Sequence, residues 1–104
     1  MIVSIKSPNR GIILHVTRVG VHCGLLVVES ESLLYEVPLK PASLKLEVRV
    51  QERASLVASG RFRLDLPAYS TLLVCTSEQR VEIEAVGGFG KFVVLSEMAW
   101  IEAI

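Results

Sequence analysis

Apolar and polar residues alternate along most of the chain. Residues 44–51 alternate over eight positions without a break, and residues 61–66 and 80–85 repeat the pattern. Successive side chains of a β-strand point to opposite faces, so a period of two predicts strands with one buried face and one wet face. No stretch of about a dozen residues carries the apolar stripe of an amphipathic helix.

Clusters of Gly, Pro, Asn and Ser interrupt this pattern about every ten residues. Strands are predicted between them, over residues 1–6, 11–19, 21–29, 33–37, 43–51, 54–58, 61–66, 71–76, 80–86 and 91–96. The chain is therefore predicted to be all-β, an antiparallel β-sandwich of about eight to ten short strands. A small closed β-barrel is the alternative.

Residues 97–104 are compatible with two structures. Ser96 is a suitable N-cap for a helix. Met98, Trp100 and Ile104 also fit the alternation of a strand. A final strand is favoured, and a helix stays the alternative.

Four segments are apolar on both faces of the predicted strands, namely residues 12–14, 25–28, 72–74 and 92–95. Crossover helices cover both faces of a parallel sheet, but this chain has no helical segment of the necessary length. The second apolar face of these strands must be buried in another way: at the centre of a closed barrel, under an extra layer of chain or against a second subunit. A homo-oligomer formed through apolar strand faces is the expected assembly.

Composition and charge fit one folded domain, residues 1–104. Apolar residues make up 51% of the chain, and 11 basic residues are matched by 11 acidic ones. A net charge of zero gives no overall attraction to nucleic acid or to an anionic membrane. The longest apolar runs have four residues, far fewer than the roughly 18 of a membrane span. With two cysteines and no secretory leader, the protein is expected in the cytoplasm.

Two histidines and two cysteines are the first candidates for chemistry. If the chain reverses at residues 19–20, His15 and His22 share one face of a hairpin. They supply two of the three or four ligands of a metal site, so no metal or other cofactor is expected. Cys23 and Cys75 are expected to be buried free thiols. A small hydrolase with a cross-strand His/Cys pair is the third functional hypothesis.

A glycine-rich segment at residues 87–91 fits neither of two binding motifs. Ala85 and Phe92 stand where a phosphate-binding loop needs Gly and Ser or Thr. Phe89 and Phe92 fall on opposite strand faces, whereas the stacking aromatics of an RNA-recognition strand share one face. A hairpin loop is favoured, with Phe89 as the best exposed aromatic for a binding site.

The basic residues provide the remaining candidates. Arg61 and Arg63 are predicted on the wet face of a strand, while Phe62 between them belongs to the core face. With Phe89 and Lys91, these two arginines are the predicted binding residues. A nucleic-acid-binding barrel is the second hypothesis, and it would use Arg10, Arg18, Arg53, Arg61, Arg63 and Lys91. Nucleic-acid binding is not expected, because acidic residues interrupt the basic ones.

The residues favour a non-catalytic interaction module over an enzyme. No nucleophile, base and orienting carboxylate come together on the predicted strands. The apolar strand faces exceed what one small core needs. The expected function is that of a homo-oligomeric structural or assembly protein, which is also compatible with a further protein partner, and no contact with a membrane is expected.

Overall fold

The structure is a computed structural model that describes residues 1–58, 62–86 and 93–104. In these residues it contains twelve β-strands. They are β1 (Ile2–Lys6), β2 (Gly11–His15), β3 (Arg18–His22), β4 (Leu25–Glu29), β5 (Leu34–Pro38), β6 (Leu44–Val50), β7 (Ala54–Ala58), β8 (Phe62–Leu66), β9 (Thr71–Thr76), β10 (Val81–Val86), β11 (Val93–Ser96) and β12 (Met98–Ala103).

The strands form two antiparallel sheets that pack face to face. Sheet A has the strand order β11-β10-β9-β6-β1-β2, and sheet B has the order β5-β4-β3-β12-β7-β8. The predicted β-sandwich is confirmed. The alternative of a closed barrel is wrong, since each sheet in the described part of the chain ends in two edge strands.

The core lies between the two sheets and is built from alternate residues of each strand. In β6 the pattern is regular, because Leu46, Val48 and Val50 are buried while the residues between them are exposed. From sheet B, Leu56 and Ile101 face the same interior and are in register with each other. The period of two in the sequence therefore reports which side chains enter the core.

The predicted chain reversal at residues 19–20 is wrong. The chain leaves sheet A after His15, crosses to sheet B and forms β3 with Gly20 at its centre. The turn comes four residues later, at Gly24, whose φ of 71° suits glycine. Gly20 serves another purpose, since a Cβ there would lie 2.7 Å from ring atoms of Trp100.

The C-terminal segment is a strand, as favoured from the sequence. β12 lies near the middle of sheet B, where Ala99 and Ile101 pair with β3 on one side and with β7 on the other. Its alternation places these two side chains in the core, which a helix at this position would not do. The described residues contain no helix able to cross a membrane.

Candidate interaction surface

Of the four predicted binding residues, the described part of the chain contains one. Arg61, Phe89 and Lys91 lie outside the described residues. Arg63 is exposed on β8, and its guanidinium donates a hydrogen bond to Ser55 Oγ at 3.2 Å. Ser55 Oγ in turn donates to a carboxylate oxygen of Asp65 at 3.2 Å. Arg63 is thus held beside an acidic group.

The other basic residues of the nucleic-acid hypothesis are dispersed. Arg10 lies in the turn between β1 and β2. Arg53 follows the end of β6, which pairs with the start of β1, so the two arginines lie at opposite ends of β1. Arg18 lies on the outer face of sheet B, between the carboxylates of Glu29 and Glu102. Arg63 lies on the same outer face, where Val57 separates it from Trp100. The carboxylates beside Arg18 and Asp65 beside Arg63 interrupt this face, so the two arginines form no continuous basic surface.

The histidines do not form the predicted pair. His15 ends β2 in sheet A, and His22 ends β3 in sheet B. The prediction that they share a face was wrong because it depended on a hairpin at Gly20. Cys23 lies at the far end of β3 from His15, so the cross-strand His/Cys arrangement is absent as well. Within the described ranges, no group of three or more His, Cys, Asp or Glu could hold a metal ion.

The cysteines are free thiols, but the prediction that both are buried was wrong. Cys75 is exposed and Cys23 is half-buried. In sheet A, Cys75 is in register with Lys45 on one side and Glu82 on the other. It therefore belongs to the outer, charged face of the sheet.

A cluster around Trp100 covers the outer face of sheet B, and the sequence did not reveal it. The indole ring lies against Gly20, and the Arg18 guanidinium lies 4.0 Å from the ring centroid on the same outer face. Arg18 also pairs with Glu29 and, at 3.7 Å, with Glu102.

This cluster explains the burial of β4 on both of its faces. Val27 pairs with Gly20 on the outer face, beside the Trp100 ring, and is 5% exposed. Leu26 points into the core and is also 5% exposed. The segment 25–28, which is apolar on both strand faces, is therefore buried on its outer face by residues of the same chain.

Most of the exposed large apolar side chains in the described residues lie along or next to two edge strands, β2 of sheet A and β5 of sheet B. The others are Phe62, Tyr69 and Ile104. We call the surface along β2 and β5 the apolar seam. Its members, with their exposed fractions, are Ile12 (44%), Ile13 (70%), Leu33 (52%), Leu34 (55%), Tyr35 (54%) and Val37 (43%).

The two edge strands lie on the same side of the sandwich and run in opposite directions. At one end, His15 and residues 30–32 line one cavity. At the other end, Arg10 and residues 38–41 line a second cavity. The start of β2 thus lies near the end of β5, and the end of β2 near its start.

The seam includes side chains that would belong to the core if another strand followed. Ile12 is in register with the buried Ile5, and Tyr35 is in register with Val28, so both point toward the sandwich interior. They are exposed because each is on the last strand of its sheet. Ile13 points to the outer face, which makes β2 apolar on both sides.

The two ends of the seam differ in charge. The cavity near the start of β2 is lined by Arg10, Lys40 and Lys45. The cavity near its end is lined by Glu31 together with His15. Among the described residues, the ion pairs involve none of Arg10, Lys40 and Glu31. The seam therefore has a basic end and, at its other end, one carboxylate, that of Glu31, beside Met1 and His15.

Comparison of the chain with models of protein families, with curated proteins and with solved structures found no match. The geometry of the chain itself is therefore the basis for any function. The sequence did point to one half of the seam, since residues 12–14 are apolar on both faces. The other half, along β5, begins with a comparable apolar run at residues 33–35, which is not among the four segments named above. Alternation alone does not tell an edge strand from a central one.

Proposed function

We propose that the protein is a non-catalytic interaction module that forms a homo-oligomer through the apolar seam. The observation that carries the proposal is the row of half-exposed apolar side chains on β2 and β5, led by Ile13 at 70% exposure. Contiguous apolar surface of this kind marks interaction sites in soluble proteins. A different protein partner would use the same surface. We propose the cytoplasm as its compartment, in keeping with two unpaired cysteines.

The size of the seam supports an assembly of moderate affinity. Full burial of a large apolar side chain contributes about 1.5–3 kcal/mol, so each half-exposed member adds about 1 kcal/mol. Six members from each of two copies would contribute roughly 12 kcal/mol. Association costs about 4–15 kcal/mol in lost translational and rotational freedom. We therefore expect an oligomer that dissociates on dilution.

Light scattering coupled to gel filtration tests the proposal. An association cost of about 6 kcal/mol leaves about −6 kcal/mol, which corresponds to a dissociation constant of tens of micromolar. At such a concentration the unmodified protein should elute as a dimer or larger species. Ile13→Lys should elute as a monomer, because it places a charge in the centre of the seam. The side chain of Ile13 is outside the core, so its replacement should leave the far-ultraviolet circular dichroism unchanged.

Ile104→Lys is the matched control, since Ile104 is 63% exposed and follows β12, which two strands separate from β5. This variant should keep the mass of the unmodified protein. A strict monomer at high micromolar concentration in the unmodified protein would overturn the proposal. Equal masses for the two lysine variants would exclude the seam as the interface.

A further inference from the structure

The two ends of β2 show which of its backbone groups are bonded within the chain. Before the strand, the Ser7 N–H donates to the Arg10 carbonyl at 2.7 Å. After it, the Val16 N–H donates to the Met1 carbonyl at 2.9 Å. Hydrogen-bonded and non-bonded pairs alternate along an antiparallel ladder. Counting inward from either end bond gives the same set of β2 residues that are hydrogen-bonded to β1.

By this count Ile12 and Leu14 exchange hydrogen bonds with β1. The N–H and C=O groups of Gly11, Ile13 and His15 point away from sheet A. They form a free edge with three donors and three acceptors in line. Such an edge is a template for a further strand.

β2 lacks the features by which proteins protect edge strands. It contains no charged residue and no proline. β5 contains Glu36 and Pro38, and β8 contains Arg63 and Asp65. Charge and proline within an edge strand discourage pairing with another chain. Of the three edge strands described with their side chains, β2 is thus the one open to pairing.

We propose that two copies of the chain join by antiparallel pairing of β2 with β2, centred on Ile13. This inference rests on the proposed self-association and specifies its geometry. The six strands of sheet A from each copy then form one continuous sheet across the two-fold axis. The occupant of the β2 edge is a second copy of this chain.

The centred register uses the whole of the strand. It pairs Gly11 with His15 and Ile13 with Ile13 as hydrogen-bonded pairs, and Ile12 with Leu14 as the closer, non-bonded pairs. Every outward donor and acceptor of β2 finds a partner. Apolar side chains meet on both faces of the sheet, and no like charges are opposed.

β5 offers a poorer edge. The Ser30 N–H donates to Leu33 O and the Leu39 N–H donates to Gly24 O, so the same alternation applies along this strand. The backbone groups that face the free edge belong to Leu34, Glu36 and Pro38. Proline has no N–H, so β5 has two free donors where β2 has three.

Charge complementarity favours a second copy as the occupant. Antiparallel pairing places the start of one β2 beside the end of the other. Arg10 of each copy then approaches Glu31 of the other, which lines the cavity next to His15. Neither group has an ion-pair partner among the described residues of its own chain. The basic end of each seam therefore meets the Glu31 carboxylate of the other.

The same two-fold axis also covers the apolar side chains of β5. An axis perpendicular to sheet A places sheet B of both copies on the same side of the joined sheet. The two β5 edges then face each other across the axis, which brings Tyr35 and Val37 of each copy together. Both halves of the seam are covered in one arrangement.

Proline substitution at the free edge tests the pairing by analytical ultracentrifugation. Ile13→Pro removes an N–H that makes no bond within the chain, so the monomer should keep its fold. It should weaken dimerisation at least about tenfold, because two ladder bonds related by the two-fold axis are lost. Ile13→Val keeps the N–H but removes one methylene from each copy, which weakens dimerisation by up to about fifteenfold. Ile13→Pro should dimerise at least about tenfold more weakly than Ile13→Val, which is its matched control. Glu36→Pro removes a free N–H from β5 that makes no ladder bond in this arrangement, so it should weaken dimerisation by a smaller factor than Ile13→Pro.

The outcomes separate the inference from the function on which it rests. A monomeric unmodified protein overturns both. A dimer that survives Ile13→Pro overturns the β2 pairing alone, and a larger loss of affinity in Glu36→Pro than in Ile13→Pro assigns the pairing to β5 instead. Amide hydrogen exchange of the unmodified protein provides a measurement without substitution. The amides of Gly11, Ile13 and His15 should become protected as concentration rises, whereas unchanged exchange at these three amides in a proven dimer contradicts the inference.

Discussion

At the scale of single residues, the contact between Gly20 and Trp100 determines the outer surface of sheet B. Glycine in the middle of a strand is unfavourable by about 0.5–1 kcal/mol relative to alanine. Here the missing Cβ lets the indole ring lie against the backbone of β3, under the guanidinium of Arg18. Val27 is in register with Gly20 on the same outer face and is 5% exposed.

Gly20→Ala should therefore destabilise the protein by about 1–3 kcal/mol, as expected when extra atoms enter a packed site. In a Trp100→Leu background the same change should cost little, because the ring that the new methyl group meets is gone. Urea unfolding of the unmodified protein, the two single variants and the double variant, all at the same protein concentration, measures the coupling free energy between the two positions. Additive effects of the two changes would contradict the proposed contact.

The thiols provide a second prediction at this scale. Cys75 is exposed on the outer face of sheet A, while Cys23 is half-buried beside the carbonyl of Glu97, with 3.8 Å between sulfur and oxygen. A disulfide-exchange reagent should label Cys75 rapidly in the folded protein and Cys23 more slowly. Cys75→Ser should remove the fast phase and leave the slow one. A single slow phase in the unmodified protein would show that Cys75 is buried.

At the scale of elements, a threonine links the two sheets at one end of the sandwich. Thr76, at the end of β9 in sheet A, is 3% exposed. Its hydroxyl donates to the His22 carbonyl at 3.3 Å and accepts from the Gly24 N–H at 3.0 Å. The turn between β3 and β4 is thus tied to sheet A, and a backbone donor and acceptor are satisfied within the protein.

Thr76→Val keeps the shape of the side chain but leaves both backbone groups without this partner. We expect a loss of about 1–3 kcal/mol in the free energy of unfolding. Thr71→Val is the control, because Thr71 is on the same strand but is half-buried on the outer face. The control should change stability by no more than about 0.5 kcal/mol in the same denaturation experiment. Equal losses in the two variants would contradict the role of the Thr76 hydroxyl.

At the scale of the whole molecule, the distribution of charge separates the interaction module from a nucleic-acid binder. A protein that contacts several phosphates needs basic groups on one face, and its affinity falls steeply with salt. Arg18 and Arg63 share the outer face of sheet B, but carboxylates lie beside both of them. Nothing in this arrangement favours several simultaneous phosphate contacts.

We therefore predict no measurable binding of single-stranded DNA or RNA at physiological salt. Fluorescence anisotropy of a labelled oligonucleotide at two salt concentrations is the appropriate measurement. Binding at micromolar concentration or below that weakens sharply with salt would favour the nucleic-acid hypothesis. It would also direct attention to Arg61 and Lys91, the predicted binding residues that lie outside the described part of the chain.

The candidate surface was partly predictable for a physical reason. The apolar residues at 12–14 break the alternation, so a need for cover was evident from the sequence. The residues before and within β5 do not show whether their strand is central or terminal. Leu26 and Val37 are in register on neighbouring strands, yet Leu26 is 5% exposed and Val37 is 43% exposed. Strand order alone makes this difference.

The sequence by itself determined the fold class, most of the strands and the side chains that face the core, because these follow from local alternation and turn residues. Residues 44–50 and 81–85 illustrate this. Tertiary structure decided the role of Gly20, the separation of His15 from His22 and the exposure of Cys75. It also decided which strands became edges. These features depend on which strands become neighbours, and pairing between residues distant in sequence leaves no local pattern.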